Sequence, residues 1–302
     1  MVVLNQVIIM ALLILTGIIC YKLNIINKES TKSLSSLVLM VVNPIVILVS
    51  YQVEFDKRLL NGILWSLGLS VVAIVAAIII SVILIRNKGE KSVLERFAAI
   101  YSNCGFMGIP LVRGIYGSEG VLYITTFMAG FNIFVWTHGV YMMEGTVSRK
   151  MVLEAVKTPA IVATVLGFAL FILRIHIPGL LLTTLEYLDS MNTPLAMIAA
   201  GATIAQTNIV KALKKPGLYY VSLIKLIIVP AVVIGMLSFL PVDNVVIGTV
   251  ILASACPAAA TGTLFAIRYK KDSFYAAELF AVTTLLSIIT LPVIMTFTQK
   301  IL

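Results

Sequence analysis

Long apolar runs separated by short polar segments make up most of this chain. A bilayer core is roughly 30 Å thick, and a helix needs about 20 apolar residues to cross it. Ten runs near that length lie at about 4–21, 32–53, 60–85, 94–116, 120–143, 158–175, 180–205, 217–240, 244–267 and 273–298. The pattern therefore predicts an all-α membrane protein with ten transmembrane helices.

Polar residues, glycine and proline interrupt two of these runs. The fourth contains Ser-Asn-Cys-Gly-Phe-Met-Gly-Ile-Pro at 102–110, and the ninth contains Ser-Ala-Cys-Pro-Ala at 254–258. An unpaired backbone amide in hydrocarbon costs several kcal/mol, so non-helical backbone persists at membrane depth only where protein or a solvated cavity satisfies it. Asn103 lies about ten residues, or roughly 15 Å, inside its run, near the midplane. Paired breaks indicate a transport site; two proline kinks filled by neighbouring helices are the alternative.

Composition agrees with the membrane class. The chain has 60% hydrophobic residues, 12% charged residues and a mean hydropathy of +1.08, which exclude an ordinary soluble domain. Its first 21 residues carry no charge, so we interpret them as a first transmembrane helix and not as a cleaved signal. The net charge of +9 does not indicate a nucleic-acid partner, because the basic residues are concentrated in alternate loops between the predicted helices.

Basic residues concentrate in alternate loops. One side of the membrane receives Lys22, Lys28, Lys32, Arg86, Lys88, Lys91, Arg96, Arg149, Lys150, Lys157, Lys211, Lys214, Lys215, Arg268, Lys270 and Lys271. The other receives Lys57, Arg58, Arg113, Arg174 and Lys300. The positive-inside rule then places the first set in the cytoplasm and both termini outside, in the plasma membrane.

The two halves of the chain look like copies of one unit. Adding 150 carries Gly17 onto Gly167 and Pro44 onto Pro194, and adding 153 carries Asn103 onto Cys256. Five helices per unit is an odd number, so the second copy enters from the opposite side. The prediction is two inverted five-helix repeats, 1–150 and 151–302, with chance matches as the alternative.

The two breaks predict crossing half-helices. Gly108, Pro110 and Pro257 are the expected hinge residues, because glycine and proline lower the cost of leaving the helix or prevent its continuation. The second halves are expected to begin near Gly108 and Ala258 and to point their amino termini at the midplane. Each such end carries roughly half a positive charge and free amide donors, an arrangement that favours an anion such as a carboxylate.

These residues resemble a known family. Asn103 followed by Met107-Gly108-Ile109-Pro110-Leu111 and Tyr116-Gly117 is similar to the fourth-helix crossover of the auxin efflux carriers. Further parts of the resemblance are Ala255-Cys256-Pro257 with Phe265-Ala266 and Tyr269, the pair Asn43-Pro44, and Leu291-Pro292. The short segment from Glu144 to about Lys157 between helices five and six resembles the short prokaryotic members.

The resemblance implies an architecture and a mechanism. It implies ten helices with external termini in a homodimer, crossing broken helices four and nine, and the general architecture of sodium/proton antiporters and bile-acid symporters. Helices one, two, six and seven would form a scaffold, and helices three to five and eight to ten a transport domain that moves like an elevator. The implied substrates are small organic anions such as mono- or dicarboxylates.

Several side chains are candidates for substrate binding, and each has a structural alternative. Asn103 offers an amide to substrate or to freed backbone, and Thr261 and Thr263 offer hydroxyls unless they bond back to their own helix. Asn43 would line the substrate path unless its amide only satisfies its own helix, and Asn132 is a weaker candidate of the same kind. The remaining candidates line the breaks: Cys104, Gly105 and Cys256.

Two charged residues are candidates for coupling. Lys225 lies well inside helix eight, where it would bind substrate or hold the crossover, unless it snorkels to the surface about 12 Å away. Glu278 lies early in helix ten, where a solvated or interfacial glutamate is the alternative. A paired-aspartate signature is absent from the sequence, so coupling to H⁺, to Na⁺ or to neither stays open.

The motifs favour a secondary transporter without a cofactor or a bound metal. Cys20, Cys104 and Cys256 are an odd number in apolar segments, and His138 and His176 are isolated, so neither disulfides nor zinc are indicated. No phosphate-binding loop or nucleophile elbow occurs in the sequence, and an intramembrane enzyme would need a catalytic set that the sequence lacks. A channel, a sodium-coupled bile-acid-type symporter and a cation/proton antiporter remain as alternatives.

Overall fold

A computed structural model describes residues 2–87, 89–146, 153 and 156–302. This part of the chain folds into helices and contains no β-strand. The helices are α1 (Val2–Lys22), α2 (Lys28–Ser50), α3 (Lys57–Leu84), α4 (Glu90–Ile100), α5 (Cys104–Glu144), α6 (Pro159–Leu173), α7 (Gly179–Ser190), α8 (Asn192–Ala205), α9 (Ile209–Ala212), α10 (Pro216–Leu237), α11 (Asn244–Ala255), α12 (Thr261–Arg268) and α13 (Ser273–Ile301).

The protein is a multi-pass membrane protein. Among the described residues six helices, α1, α2, α3, α5, α10 and α13, are long and apolar enough to cross a bilayer. Large apolar side chains stay exposed on them, for example Ile83, at 70% exposure, on α3 and Val293, at 62%, on α13. The other predicted runs contain shorter helices, so ten complete crossings remain a prediction.

One predicted helix is divided in the structure. The run at 180–205 was expected to be continuous, but it consists of α7 and α8, with a turn at Met191 between them. Pro194 explains the division, because a proline has no amide hydrogen to donate to the carbonyl four residues earlier, that of Ser190. The proline instead occupies the first turn of α8, where that donor is not needed.

The helix α5 changes direction at Gly117. This residue has φ 65° and ψ −151°, a backbone conformation that only glycine adopts without strain. It separates residues 104–116 from residues 118–144, close to the boundary that the hydropathy pattern predicts between helices four and five.

Close approaches at glycine define the packing of the first two helices. α1 packs on α8, where a Cβ at Gly201 would lie 2.0 Å from the carbonyl oxygen of Ile14, and one at Gly17 would lie 2.2 Å from that of Ile198. α2 packs on α6 in a similar way, because a Cβ at Gly167 would lie 2.7 Å from the ring of Tyr51. Only glycine allows these helix axes to come so near.

Candidate functional site at the crossing of two broken helices

Two non-helical segments meet in the interior of the molecule. Residues 101–103 separate α4 from α5, residues 256–260 separate α11 from α12, and Ser102 pairs with Ala258 in a short antiparallel bridge. The Asn103 amide donates to the Pro257 carbonyl at 2.8 Å, and the Ala259 amide donates to the Tyr101 carbonyl at 2.9 Å. Each break therefore satisfies backbone groups that the other leaves unpaired.

A third helix holds the second break. The Ala258 amide donates to Oγ1 of Thr283 on α13 at 3.2 Å, and that hydroxyl in turn donates to the Leu279 carbonyl at 2.7 Å. The Pro257 nitrogen needs no acceptor, so the chain can leave the helix at this point at low cost. The crossing is thus built from α4, α5, α11, α12 and α13.

The half-helices begin at positions that differ from the sequence expectation. The first was expected near Gly108, but α5 begins at Cys104 with a π turn, Cys104–Gly108, that places Gly108 and Pro110 inside the helix. Pro110 follows this π turn, in which the Ile109 amide donates to the Cys104 carbonyl, so the helix continues past the missing proline amide. The second was expected near Ala258, but α12 begins at Thr261. The expected hinges Gly108 and Pro110 are therefore helical, and Pro257 lies in the gap.

The start of α5 combines backbone amides that precede the intrahelical bonds with a buried side-chain donor. Met107 donates the first bond of the helix, to the Asn103 carbonyl at 3.0 Å, so the amides of residues 104–106 precede the intrahelical pattern. Asn103 is 6% exposed, and its side-chain Nδ2 has no partner among the described residues. A buried amide group of this kind is costly unless a ligand or water completes its bonding.

An opening lies beside Gly105. Within 101–112, all of which the structure describes, Gly105 is the one residue that is not fully buried. A Cβ at this position would lie 3.2 Å from Cε of Met128 and 3.3 Å from Nδ2 of Asn43. The opening is therefore narrow, because even a methyl group at this position would be tight against Met128 and Asn43.

Asn43 belongs to a buried pair of amides. Its Oδ1 accepts a hydrogen bond from Nδ2 of Asn192 at 2.6 Å, and Oδ1 of Asn192 has no partner in the described part of the chain. α8 packs directly on the first turn of α5, which brings Asn192 to this side of the crossing. Sequence reasoning missed Asn192; the signal was its offset of 149 from Asn43 and its place two residues before Pro194.

The second arm of the crossing, formed by residues 256–260 and the start of α12, offers side-chain hydroxyls more than backbone amides as hydrogen-bond donors. The Gly262 and Thr263 amides already donate to the Ala259 and Ala260 carbonyls, at 3.1 and 3.2 Å. Oγ1 of Thr261 and of Thr263 is buried without a partner among the described residues, so neither threonine bonds back to its own helix. The two arms therefore differ chemically although both are helix starts.

The cysteines at the breaks pack around Gly108. A Cβ at Gly108 would lie 3.5 Å from Sγ of Cys256 and 3.4 Å from Cβ of Cys104. Both thiols are buried and free. Small side chains at all three positions let α5 and the end of α11 approach each other closely.

Lys225 contacts the crossing from the opposite side. Its side chain is fully buried, and Nζ donates to Oγ of Ser102 at 2.6 Å and to the Ile100 carbonyl at 3.3 Å. Ser102 Oγ donates onward to the Ser254 carbonyl at 3.3 Å. The lysine therefore joins both arms, and it does not snorkel to a surface.

Glu278 and Asn132 occupy other places. Glu278 accepts two bonds from Nζ of Lys215, at 2.6 and 2.7 Å, and the Lys215 side chain is 47% exposed, so this ion pair is interfacial. Asn132 is half-buried on the part of α5 that follows Gly117, and its side chain makes no hydrogen bond within the described residues. The structure joins neither side chain to the crossing by a hydrogen bond.

Comparisons with known proteins agree with a membrane transport protein. The model of a protein family described as "Membrane transport protein" matches residues 2–295. A protein of Methanothermobacter thermautotrophicus named "Uncharacterized transporter" is 26% identical and covers 93% of both chains. Another of that name, from Methanocaldococcus jannaschii, is 23% identical over 96% of this chain and 97% of its own. A Rhizobium meliloti protein named "Putative malonate transporter" is 25% identical over 76% of this chain and 74% of its own.

Proposed function

Since the chain belongs to the membrane transport protein family of the auxin efflux carriers, we propose that it is a secondary transporter of a small organic anion. The substrate is a mono- or dicarboxylate, and it binds at the crossing of the two broken helices. The residues that we assign to binding are Asn43, Asn103, Cys104, Gly105, Asn192, Cys256, Thr261 and Thr263, with Asn132 as an outer candidate.

The observation that carries this proposal is the start of α5. Amides of residues 104–106 and the unpartnered Nδ2 of Asn103 lie at the positive end of a half-helix, beside the opening at Gly105. A helix amino terminus carries roughly half a positive charge, and its free amides point along the axis towards a ligand. These groups donate hydrogen bonds, which an anionic oxygen accepts and a metal cation does not.

A dicarboxylate fits the distribution of groups better than a larger anion does. One carboxylate would take the amide donors of the α5 start, and the second would reach hydroxyl groups of Thr261 or Thr263 on the other arm. The R. meliloti relative, whose printed name refers to malonate, supports this size class.

The proposal includes two inverted five-helix repeats, 1–150 and 151–302. Two matched pairs of helix contacts support it, because α1 packs on α8 at Gly17 as α6 packs on α2 at Gly167. The reciprocal backbone bonds of the two breaks support it as well. The boundary itself, at Lys150 and Met151, lies outside the described residues.

Alternating access would proceed by an elevator movement between a scaffold, made of predicted helices one, two, six and seven, and a transport domain made of the others. The few polar contacts recorded between these groups among the described residues support such a division, because sliding would exchange only a small number of bonds. They are Gln6 to the Pro110 carbonyl, Ser50 to Thr125, Tyr51 to Thr126, and the ion pair of Arg113 with Asp189.

We further propose a homodimer in the plasma membrane with both termini outside. α7 has no buried residue, and Leu180, at 88% exposure, and Tyr187, at 73%, leave an apolar surface for lipid or a second copy. The orientation rests on the basic loops, of which Lys88, Arg149 and Lys150 lie outside the described residues. Coupling to Na⁺ is part of the test below, and coupling to H⁺ is tested by repeating that counterflow with an imposed pH gradient.

The test is counterflow in proteoliposomes. Vesicles loaded with malonate or another dicarboxylate should accumulate labelled external substrate, and Asn103→Ala should lower the rate at least about tenfold, because one charge-assisted hydrogen bond contributes 1.5–3 kcal/mol. Its thermal midpoint should not change, because Nδ2 of Asn103 has no partner to lose. Asn61→Ala is the matched control, since Asn61 is an exposed amide on α3.

Four outcomes would contradict this proposal, and each indicates a different conclusion. Conductance without counterflow indicates a channel, and exchange of cations without any carboxylate exchange indicates a cation/proton antiporter. A carboxylate uptake that requires sodium indicates a bile-acid-type symporter. An Asn103→Ala variant with the wild-type rate removes the site from the crossing.

A further inference from the structure

Four half-helix ends converge on the crossing, and their charges nearly cancel. α5 and α12 direct their amino ends to it, and α4 and α11 direct their carboxyl ends. Each amino end carries about +0.5 charge and each carboxyl end about −0.5. The backbone alone therefore gives the crossing almost no net charge with which to select an anion.

Lys225 lies at the carboxyl ends. Its Nζ donates to the carbonyl of Ile100, the last residue of α4, and to Ser102, which donates to the carbonyl of Ser254 in the last turn of α11. One ammonium group thus bonds directly or through one hydroxyl to both negative ends. The amino ends, near Asn103 and Thr261, stay uncompensated.

The charge of Lys225 has no acidic partner. None of the ion pairs among the described residues includes it, and its surroundings from α3, α5 and α10 are apolar: Ala73, Ile74, Ala77, Phe127, Phe131 and Val229. The ionisable side chains close enough to act on it are the thiols of Cys104 and Cys256. An intramembrane cation of this kind is expensive and signals a role.

The residue is also positioned by an unusual backbone. Lys225 belongs to a π turn, Ile224–Ile228, in the middle of α10. Such a turn inserts one extra residue into a helix and is frequent at functional sites. The polar atoms that its ammonium reaches are oxygens: the Ile100 carbonyl and the Ser102 hydroxyl, with the Ser254 carbonyl next to that hydroxyl. Such oxygens are the ligand type that Na⁺ and other hard cations prefer.

We propose that Lys225 is a built-in cation, which takes the place that a metal cation would otherwise fill at the crossing and so makes anion binding independent of sodium. The inference rests on the proposed anion transport and adds the residue that sets its ion dependence. Lys225 lies on the side of the crossing that faces α3 and α10. Gly105 and the pair of Asn43 and Asn192 lie on the side that faces α2 and α8. Lys225 therefore acts through the crossing, as a positioning residue.

The experiment compares sodium with choline in three variants. Lys225→Ser removes the ammonium and leaves room among the oxygens, Lys225→Met fills the same room with an apolar chain, and Lys225→Arg keeps a cation. Purified protein is melted in sodium chloride and in choline chloride, and malonate counterflow is measured in both salts.

The expected pattern separates charge from packing. Wild type shows equal rates and equal midpoints in both salts, and Lys225→Arg stays within about threefold of wild type. Lys225→Ser loses at least about tenfold in choline, the size of one lost charge-assisted bond, and regains rate and thermal midpoint in sodium. Lys225→Met loses rate in both salts.

Three results overturn the inference: a wild-type rate that depends on sodium, a Lys225→Met rate equal to wild type, or a Lys225→Ser variant that sodium neither stabilises nor activates. If the serine and methionine variants fail to fold, the comparison of wild type and Lys225→Arg between the two salts decides. Absence of counterflow in wild type contradicts the proposed function instead, and the sodium-dependent midpoint of Lys225→Ser still decides the inference.

Discussion

At the scale of single residues, amide side chains are the main groups of the proposed binding site. Asparagine offers a donor and an acceptor without a formal charge, so it can be buried at lower cost than a lysine or an aspartate. Asn43 and Asn192 use one such bond to fix each other, which leaves Nδ2 of Asn43 beside the Gly105 opening. A donor held in this way is oriented before the substrate arrives.

Replacing that donor by a carboxylate tests the sign of the substrate. Asn43→Asp keeps an acceptor for Asn192 and so should fold, but it places a negative charge beside the α5 start. We expect malonate counterflow at pH 7.5 to fall at least about tenfold, because two anions repel strongly in a site of low dielectric. The rate relative to wild type should recover as pH falls through the pKa of the introduced carboxyl and neutralises it.

The control for this experiment is Asn61→Asp on the exposed face of α3. It adds the same charge away from the crossing and should leave the rate at every pH unchanged. Wild-type activity in Asn43→Asp at pH 7.5 would show that the substrate is not an anion or does not pass this residue.

Prolines and π turns are coupled at the scale of helices. Within the described residues three of the four π turns precede a proline by two residues: Val38–Val42 before Pro44, Cys104–Gly108 before Pro110, and Ile224–Ile228 before Pro230. The fourth, Val135–Gly139, is not followed by a proline. A proline clashes with the carbonyl four residues earlier and cannot donate to it. Widening the preceding turn to a five-residue spacing relieves both problems without ending the helix. These three helices therefore continue through their prolines, whereas the sequence pattern predicted a break at Pro110.

Glycine at the crossing of α1 and α8 sets a second helix-scale constraint. Gly201→Ala should lower the free energy of unfolding by about 1–3 kcal/mol, because its Cβ would lie 2.0 Å from the backbone oxygen of Ile14, which cannot rotate away. Gly235→Ala on α10 is the matched control, since no atom lies within 4 Å of its Cβ. It should be neutral or stabilising by up to about 1 kcal/mol.

Thermal midpoints in one detergent compare the two variants. Equal midpoints for both would mean that α1 and α8 can separate at no cost, and the close packing described above would be wrong.

The sequence predicted the positions of helices better than it predicted the contacts between their side chains. Runs of 20 or more apolar residues allow few alternatives to a membrane helix, so α1, α3 and α13 lie where hydropathy places them. The polar breaks were visible because polar residues are rare in such runs. The pair of Asn43 with Asn192 and the bond of Lys225 to Ser102 were not predicted, because nothing local in a sequence says which distant side chains meet.

The two halves interlock at the scale of the whole molecule. Bonds between 101–103 and 257–259 cross the midpoint of the chain, and the α1–α8 and α2–α6 contacts do so again. An inverted repeat with an odd number of helices per half requires the two termini of the chain to lie on the same side. The charge pattern predicts that this side is outside.

Reporter fusions in a bacterial host test this orientation. Alkaline phosphatase, which folds only outside the cytoplasm, should be active after Leu302, and green fluorescent protein should be dark there. The same reporters after Lys214, in a loop predicted to be cytoplasmic, should give the opposite result. A fluorescent fusion after Leu302 would contradict the ten-helix topology or its orientation.

The reciprocal bonds of the two breaks also impose an order on biosynthesis. The Asn103 amide and the Tyr101 carbonyl receive their partners only when Pro257 and Ala259 have been made. At 5–20 residues per second the ribosome takes roughly 10–30 s to cover that distance. During this interval water or the translocation channel has to satisfy the backbone groups of the first break, because their partners in the second half do not yet exist.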